Sequence, residues 1–231
     1  ARKLVSIIRE LPSSEILLEV DSKNAASIRC GASFFKIFGL PKEEFPAFPA
    51  FEEPKSLKIR QSELKDGLRK TSYAISSDEA RYVLNGILFS LKDNKLMLVA
   101  TDGRRLALFD SDLEFPESHE RDFILPTKAV TELQRLLSED GEVEISSSEN
   151  LVSFELNGAR LVSKLVEGNY PNYRLVIPGE AKERIALERE AFHNCVRRVS
   201  ILSSDKTSSV RLNFTKNNID ITANTPEVGE A

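Results

Sequence analysis

The residues whose types and spacing could do chemistry are concentrated in one short stretch, LVATDGRRLALF (98–109). There an aspartate, a glycine and two adjacent arginines separate two apolar runs. Such a cluster could be a general acid, a phosphate clamp or a surface that another protein recognises. Asp-Gly between apolar runs is also a strong hairpin signal, because glycine accepts the positive φ of a tight turn. A tight Asp-Gly turn fully explains why an aspartate stands at 102. Because side chains alternate along a strand, Arg104 and Arg105 should point in different directions and not form one clamp.

Other arrangements typical of catalysis or metal binding are scarce in the sequence. His119 and His193 stand in ESHE and FHNC without the spacing of metal ligands, so we expect neither a metal site nor a cofactor. His193 and Cys195 are two positions apart, which directs their side chains away from each other on a helix. The chain has no GxSxG, no P-loop and no GxGxxG sequence. The sequence therefore predicts a protein that is not an enzyme.

The composition is that of an ordinary globular protein: of 231 residues, 41% are hydrophobic and 29% are charged. No run approaches the roughly 18 apolar residues of a membrane span, and no signal peptide is visible, so we expect a cytoplasmic protein.

Cys30 and Cys195 are far apart and outside any CxxC pattern, which predicts two reduced, buried thiols, with a disulfide as the alternative. The net charge of −4 argues against coating nucleic acid by bulk charge but allows a locally basic face.

Hydrophobic periodicity predicts an α+β fold in which helices lie on antiparallel sheets. Helices are expected at 1–11, 61–76, 126–138 and 188–202. Gly67 inside the second helix costs about 0.8–1 kcal/mol relative to alanine, which disfavours a helix there. The predicted strands between the helices are EILLEV, SFFKIF, YVLNGILFSL, KLMLVAT, EVEIS, LVSFEL and ARLVSKLV.

The chain also resembles itself at an offset of about 125 residues. RKLVSIIREL matches TKAVTELQRLL, GASFFKIFGLPKEEFPAFP resembles GARLVSKLVEGNYPNYRLV, and NKLMLVAT resembles NNIDITAN. Matches in one order at a nearly constant offset indicate a duplicated domain rather than a solenoid, whose periods are much shorter. We expect the second half of a domain at 1–52, a whole domain at 56–180 and the first half of another at 182–231. The sequence thus looks cut from a longer protein with at least three copies.

Each predicted helix has an apolar side and, nearly opposite, basic side chains. In the third helix Val130, Leu133 and Leu137 form the apolar stripe, and Lys128 and Arg135 lie opposite. Taken singly, each basic side is an ordinary solvated face that acidic neighbours dilute. Four homologous helices with one arrangement instead favour a shared basic surface that would contact phosphates without reading bases.

The stretch EGNYPNYRLVIP (167–178) places aromatic residues on a proline-stiffened loop. Tyr170-Pro171 and Tyr173 either cap the edge of a domain or form the rim of an apolar pocket that accepts a short peptide. The residues alone leave both interpretations open.

Four stretches together closely resemble the bacterial sliding-clamp family, the β subunits of DNA polymerase III: VATDGRRLAL, RYVLNGILF, LPTKAVTELQRLL and SKLVEGNYPNYRLVIP. The resemblance covers essentially the whole chain in the right order. It implies a DNA-clamp fold with three copies of one domain per chain, two chains closing into a ring around duplex DNA. This chain would hold the end of domain one, all of domain two and the start of domain three, in agreement with the internal repeat.

The resemblance implies a processivity factor without catalysis, which encircles DNA and tethers the replicative polymerase. Its implied partners are double-stranded DNA, bound without sequence preference, the polymerase III catalytic subunit, the clamp loader, and other polymerases and repair proteins that carry clamp-binding peptides. The alternative is a peptide-binding adaptor of clamp-like fold that does not encircle DNA. The residues implied to face DNA are Arg2, Arg9, Lys65, Arg69, Arg81, Tyr82, Lys128, Arg135 and Arg197.

In this family a pocket between domains two and three binds the partner peptides. The family often has histidine where Arg104 stands and a basic residue where Leu175 stands. Leu175 would make the pocket more apolar and remove one hydrogen-bond donor, so we expect a different peptide preference. The matching positions are Leu84, Thr101, Gly103, Arg104, Arg105, Leu106, Pro171, Leu175 and Val176.

Ring closure in the family joins an edge strand of domain one to the start of domain three in the next chain. The matching segments here are SFFKIFG, with Phe35 and Ile37, and SILSS, with Ile201 and Leu202. A full-length protein is therefore expected to be a homodimer.

Overall fold

Short helices alternate with antiparallel strands along the chain, as hydrophobic periodicity predicts. The computed structural model describes residues 2–12, 15–47, 49, 51, 55–181, 183–203, 209–225 and 229–230. It divides into two compact units, 1–171 and 172–231. The helices are α1 (Arg2–Glu10), α2 (Gln61–Thr71), α3 (Thr127–Leu136) and α4 (Arg189–Ser200). The strands are β1 (Leu17–Val20), β2 (Ala25–Cys30), β3 (Ser33–Phe38), β4 (Lys55–Arg60), β5 (Gly86–Lys92), β6 (Lys95–Thr101), β7 (Leu106–Asp112), β8 (Arg121–Pro126), β9 (Glu142–Ser147), β10 (Leu151–Leu156), β11 (Ala159–Lys164), β12 (Arg211–Thr215), β13 (Asn218–Thr222), β14 (Asn224–Thr225) and β15 (Gly229–Glu230).

All four predicted helices are confirmed, although residue 1 of the first lies outside the described residues. The strand predicted over YVLNGILFSL is wrong in its first part, because Glu79–Leu84 forms a 3₁₀ segment and β5 begins only at Gly86. The side chain of Asp78 starts that segment by accepting the N–H of Ala80 at 3.0 Å. The pattern also fails to single out β2, β4, β8, β12 and β13. In β2 and β4 small or charged residues interrupt the apolar ones, and in β8 the apolar run 123–125 is short.

The order of elements repeats along the chain. α1 followed by β1, β2 and β3 has the same order as α3 followed by β9, β10 and β11, and the β5–β6 hairpin after α2 has its counterpart in β12–β13 after α4. The sheets have the strand orders β1-β2-β3, β11-β10-β9-β4, β7-β6-β5-β8 and β12-β13, with β14 paired to β15. Asp93-Asn94 and Asn157-Gly158 close the β5–β6 and β10–β11 hairpins with positive φ, as type I′ turns require.

The core of the first unit gathers residues of its two four-stranded sheets and of the helices α2 and α3. The ring of Phe89 on β5 stacks on Phe123 with centroids 5.0 Å apart, and Phe154 of the other sheet lies 6.3 Å from Phe89. α2 packs on β6 and β7 and buries Leu68, while α3 packs on β5 and β8 and buries Leu133. The predicted apolar stripes of both helices therefore face this core.

Gly67 allows α2 to lie very close to its sheet. It is buried in the helix interior, and a Cβ there would lie 2.7 Å from Cδ1 of Phe109 and 2.8 Å from Cδ1 of Leu98. Carbon atoms that are not bonded prefer separations of about 3.5–4.0 Å, so any side chain would push α2 away from β6 and β7. The cost of glycine in a helix, about 1 kcal/mol, is offset by this close packing.

One buried polar side chain, that of Gln61 at the start of α2, joins several segments of the first unit and is 1% exposed. Its Oε1 accepts the backbone N–H and the hydroxyl of Ser138, just after α3, both at 2.9 Å. Its Nε2 donates to the carbonyl of Glu142 in β9 at 3.1 Å and to Oδ1 of Asn157 in the β10–β11 turn at 3.0 Å. The backbone N–H of Gln61 donates to the carbonyl of Gly141 at 2.9 Å. The Gln61 side chain therefore fixes α2 against the end of α3 and against the β9–β10–β11 sheet.

The second unit contains α4 and the β12–β13 hairpin. The carboxylate of Glu188 accepts the backbone N–H groups of Glu190 and Ala191 at the start of α4, and these bonds lower the pKa of Glu188. Phe192 and Val196, on the predicted apolar side, are half-buried. That side lines an open groove of about 890 Å³ between α4 and the hairpin.

The expectation of two buried thiols is confirmed for Cys30 and wrong for Cys195. Cys30 is 2% exposed on β2, and its Sγ lies 3.8 Å from the carbonyl oxygen of Pro12. Cys195 is only half-buried on α4, where Nη2 of Arg198 donates to its Sγ at 3.2 Å. The reason for the difference is that the apolar side of α4 lines the open groove rather than a closed core.

We expect Gln61→Leu to lower the free energy of unfolding by about 2–4 kcal/mol, because it leaves buried polar groups without their partner. Urea-induced unfolding followed by circular dichroism measures the change. Gln134→Leu is the matched control, since the Gln134 side chain is half-buried and donates to Oγ of Ser72 at 3.2 Å. Its loss should cost less than about 1.5 kcal/mol. Equal losses in the two variants would contradict the special position of Gln61.

Candidate functional site

The Asp-Gly stretch forms the predicted hairpin, with residues 102–105 joining β6 to β7 and Gly103 at a φ of +85°. Oδ1 of Asp102 accepts the backbone N–H groups of Arg104 at 2.9 Å and Arg105 at 3.0 Å. The hydroxyl of Thr101 accepts the N–H of Gly103 at 3.0 Å and donates to the carbonyl of Arg105 at 2.7 Å. The polar residues of the motif therefore hydrogen-bond to one another within the turn. This confirms the interpretation that Asp102 stabilises the turn.

These bonds also determine the charge state of Asp102. The backbone N–H groups of Arg104 and Arg105, followed by the Arg105 guanidinium, lower the pKa of the Asp102 carboxyl below its ordinary value of 3.8. A carboxylate held ionised in this way has no proton to give at neutral pH, so it is a poor general acid.

The two arginines of the hairpin do not form a common clamp. The Arg105 guanidinium donates through Nε to Oδ2 of Asp102 at 3.1 Å and lies 5.7 Å above the ring of Tyr73. Arg104 is exposed and shares neither contact. The predicted divergence is therefore observed. Sequence reasoning missed Tyr73, which no motif marks, because only folding brings the end of α2 beside the hairpin.

The 3₁₀ segment Glu79–Leu84 braces the hairpin from one side. Nη1 of Arg81 donates to the carbonyl of Asp102 at 3.1 Å, and Nε of Arg81 donates to Oδ2 of Asp78 at 2.9 Å. A Cβ on Gly103 would lie 2.7 Å from Nη1 of Arg81, so a larger residue at 103 would displace the end of that side chain from its present place against the turn. In the same segment Leu84 is buried.

The loop 166–171 approaches the same region of the first unit. A Cβ on Gly168 would lie 3.0 Å from Cγ1 of Val83 and 3.6 Å from the hydroxyl of Tyr82. Tyr170 is half-buried, and burial raises the pKa of its phenol to about 12, against the smaller opposite effect of the backbone N–H of Thr101. The segments 81–84, 101–106 and 168–171 are thus brought together, which places Leu84, Thr101, Gly103, Arg104, Arg105, Leu106 and Pro171 in one region.

The remaining two predicted pocket residues belong to the second unit. Leu175 and Val176 lie in the 3₁₀ turn Tyr173–Val176 and are 81% and 69% exposed.

The cations predicted on α2 and α3 are exposed, except Lys65, which is half-buried, and most of them have acidic partners. Nζ of Lys65 lies 2.5 Å from Glu139, Arg69 lies 2.6 Å from Asp66, and Arg135 lies 3.0 Å from Glu132. Lys70 also pairs with Asp66, and hydrogen bonds from Lys70 and then Arg69 lower the pKa of that carboxyl. The local positive charge is therefore smaller than the sequence pattern suggests. Lys128 on α3, Arg197 on α4, and Arg2 and Arg9 on α1 are exposed as predicted.

The residues predicted for ring closure lie at two exposed places. β3 is an edge strand of its sheet, and on it Phe35 is 39% exposed while Ile37 is half-buried. In the second unit, Ile201 is 76% exposed and Leu202 is half-buried in the turn that ends α4.

Among the residues that the structure describes, no group of three or more His, Cys, Asp and Glu side chains could hold a metal ion. None of the helices in the described part of the chain is long and apolar enough to cross a membrane. His193 is exposed and Cys195 is half-buried, so they face different surroundings on α4, as their spacing predicts.

Helices packed on antiparallel sheets, with one order of elements repeated along the chain, define the DNA-clamp fold. Family models of the DNA polymerase III beta subunit match in sequence: the N-terminal domain at 1–49, the central domain at 58–172 and the C-terminal domain at 174–231. The chain therefore belongs to the family of DNA polymerase III beta subunits, the sliding clamps.

Individual relatives agree with this assignment. The chain is 33% identical over 230 residues to the beta sliding clamp of Chlamydia muridarum and 32% identical over 233 residues to that of Bacillus subtilis, matching 100% of this chain and 63% and 62% of those proteins. It matches the solved DnaN sliding clamp of Bartonella birtlesii bound to griselimycin with a TM-score of 0.89 and 40% identity, over 100% of this chain and 63% of that one. It matches the sliding clamp of Bacillus subtilis with a TM-score of 0.87 and 31% identity, over 100% of this chain and 61% of that one. The chain thus spans about three fifths of these relatives.

We expect acid to loosen the hairpin only when Asp102 takes up a proton. Because the pKa of the folded carboxyl lies below 3.8, its stabilising effect is complete above that pH and is lost as the pH falls through the folded value. The amide NMR shifts of Arg104 and Arg105 report the change. In Asp102→Asn the side-chain oxygen still accepts both N–H groups but does not titrate, so those shifts should stay constant. Identical titration in both proteins would contradict this role of Asp102.

Proposed function

We propose that this chain is part of a ring-shaped sliding clamp that encircles duplex DNA and tethers a DNA polymerase, without catalysing a reaction and in the cytoplasm. The observation that carries the proposal is the repeat: helices with one exposed basic face recur in a chain whose relatives are beta sliding clamps. On this proposal 1–52, 56–180 and 182–231 correspond to the end of domain one, all of domain two and the start of domain three.

The DNA contact that we propose is weak and independent of sequence. Its residues on the four homologous helices are cations, all exposed except the half-buried Lys65, and cations suit phosphate oxygens rather than base edges. The ion pairs of Lys65, Arg69 and Arg135 are exposed, and such pairs contribute about 0–1 kcal/mol each, so a passing phosphate can exchange with the carboxylate at little cost. Weak, exchangeable contacts are what movement along DNA requires. Arg81 and Tyr82 are proposed to contact DNA at the mouth of the ring.

Partner proteins are proposed to dock a short peptide on the region where the hairpin and the loop 166–171 meet. The apolar residues proposed for this contact are the buried Leu84, the half-buried Leu106 and the exposed Pro171, which lie in segments next to the polar groups of the turn. Leu175 and Val176, in the second unit, are two further positions that the family resemblance assigns to peptide binding. The proposed ligands would be the polymerase III catalytic subunit, the clamp loader, and other polymerases and repair proteins. Arg104 and Leu175 are the positions proposed to alter peptide preference.

Ring closure is proposed to use the exposed edge of β3 with Phe35 and Ile37 and the end of α4 with Ile201 and Leu202. An edge strand with apolar side chains favours pairing with another chain. A homodimer closed through these two places would cover both exposed surfaces.

Encirclement predicts binding that depends on DNA topology. A protein that continues this chain to the length of its relatives should be retained on circular duplex DNA after loading and should be lost when that DNA is linearised, as gel filtration of the complex measures. Lys128→Glu should shorten retention because it turns a phosphate contact into a repulsion. Lys164→Glu makes the same charge change on β11 and serves as the control. Equal retention on circular and linear DNA would instead favour a peptide-binding adaptor that does not encircle DNA.

The docking proposal predicts that Leu106→Ala combined with Pro171→Ala weakens binding of a clamp-binding peptide by about tenfold, because both truncations remove apolar contact area. Calorimetry with a peptide from the polymerase III catalytic subunit measures the affinity. Leu136→Ala on α3, where the side chain is 38% exposed, is the control and should leave the affinity unchanged. Dimerisation should be unaffected in each variant. An unchanged affinity in the double variant would contradict the pocket.

A further inference from the structure

Arg81 touches both surfaces proposed above. It stands beside Tyr82, in the segment proposed to contact DNA, yet its guanidinium lies against the turn of the peptide-docking hairpin. Its backbone has φ −111° and ψ 55°, outside the helical region and inside an otherwise 3₁₀ segment, and this bend accompanies the contact of its side chain with residues 102–103. One side chain is thus shared between two surfaces with different partners.

The contacts of Arg81 use only some of the N–H groups of its guanidinium. Nε donates to Asp78 and Nη1 donates to the carbonyl of Asp102. A guanidinium carries five N–H groups in a rigid plane, and this side chain is 50% exposed. The remaining N–H groups are therefore available to a phosphate oxygen while the inner pair stays in place.

The hairpin that Arg81 touches is held mainly by its own short-range bonds. Asp102 binds the N–H groups of Arg104 and Arg105, and Thr101 binds Gly103, all within four residues. Arg81 and Tyr73 reach the same turn from distant parts of the sequence. An external brace on an exposed turn changes how often that turn opens, and amide exchange measures this opening directly.

We propose that Arg81 is the positioning residue through which DNA contact stiffens the peptide-docking hairpin. A phosphate bound to the outer N–H groups fixes the guanidinium plane, and the fixed plane holds the carbonyl of Asp102 and packs on Gly103. By thermodynamic reciprocity, a peptide that orders the hairpin strengthens the phosphate contact by the same factor. The coupling rests on the proposed function, whereas the brace rests only on the contacts of Arg81 within the first unit.

The test compares the wild-type chain with Arg81→Lys, which keeps the positive charge but replaces the planar fork by one ammonium group. Amide hydrogen exchange of Gly103, Arg104 and Arg105 is followed by NMR, with and without a short duplex DNA at low salt. Without DNA, exchange in Arg81→Lys should be about tenfold faster than in the wild type. Saturating duplex should slow exchange in the wild type by about fivefold and leave Arg81→Lys unchanged.

Lys128→Ala is the matched control, since it removes a proposed phosphate contact on α3. It should raise the duplex concentration needed for saturation while leaving the fivefold slowing intact at saturation. Equal exchange of wild type and Arg81→Lys without DNA would overturn the brace. Equal slowing of both by duplex would overturn the coupling through Arg81.

The same measurements separate this inference from the proposed function. A duplex that binds the wild type without changing hairpin exchange overturns the coupling and leaves the clamp proposal standing. A wild-type chain that does not bind the duplex at all overturns the coupling together with the proposed DNA contact, while the comparison without DNA still decides the brace.

Discussion

The placement of the exposed helical faces depends on one buried amide. Gln61 both donates and accepts, so a single side chain can satisfy the end of α3, the carbonyl in β9 and the β10–β11 turn at once. No apolar residue could replace it without leaving polar groups unpaired in a buried place. Because this junction holds α2 against α3, it also determines how the cations of these two helices are presented. Gly67 complements it by letting the same helix lie close to β6 and β7.

Several polar side chains among the described residues shape the backbone through short-range hydrogen bonds. Asp102 and Thr101 saturate the turn between β6 and β7, Asp78 starts the segment that leads into β5, and Glu188 caps α4. A carboxylate that accepts several N–H groups is held ionised and in place, which suits a rigid surface better than proton transfer. On α2 and α3, acidic residues pair with Lys65, Arg69 and Arg135. These ion pairs reduce the net positive charge on the exposed faces of the two helices.

The two proposed surfaces of the first unit are continuous in the structure. α2 is followed by the 3₁₀ segment Ser72–Ala74, and within it the ring of Tyr73 lies under Arg105. Further along the chain, Arg81 reaches the same hairpin. A segment proposed to meet DNA therefore forms one wall of the region proposed to meet partner peptides. This shared wall is the connection through which we propose that DNA contact stiffens the hairpin.

The sequence by itself determined the helices, most strands, the Asp-Gly turn and the repeat, because these depend on periodicity and on φ preferences that act over a few residues. It also determined the family, since four motifs in order are more specific than any of them alone. Only the tertiary structure decided which groups meet. Gln61, Tyr73 and the brace from Arg81 depend on residues far apart in the chain, and no local pattern distinguishes them from other exposed or helical residues. The half-buried state of Cys195, the 3₁₀ segment in place of a strand and the pairing of the helical cations likewise follow from packing, which depends on what the rest of the chain places beside each residue.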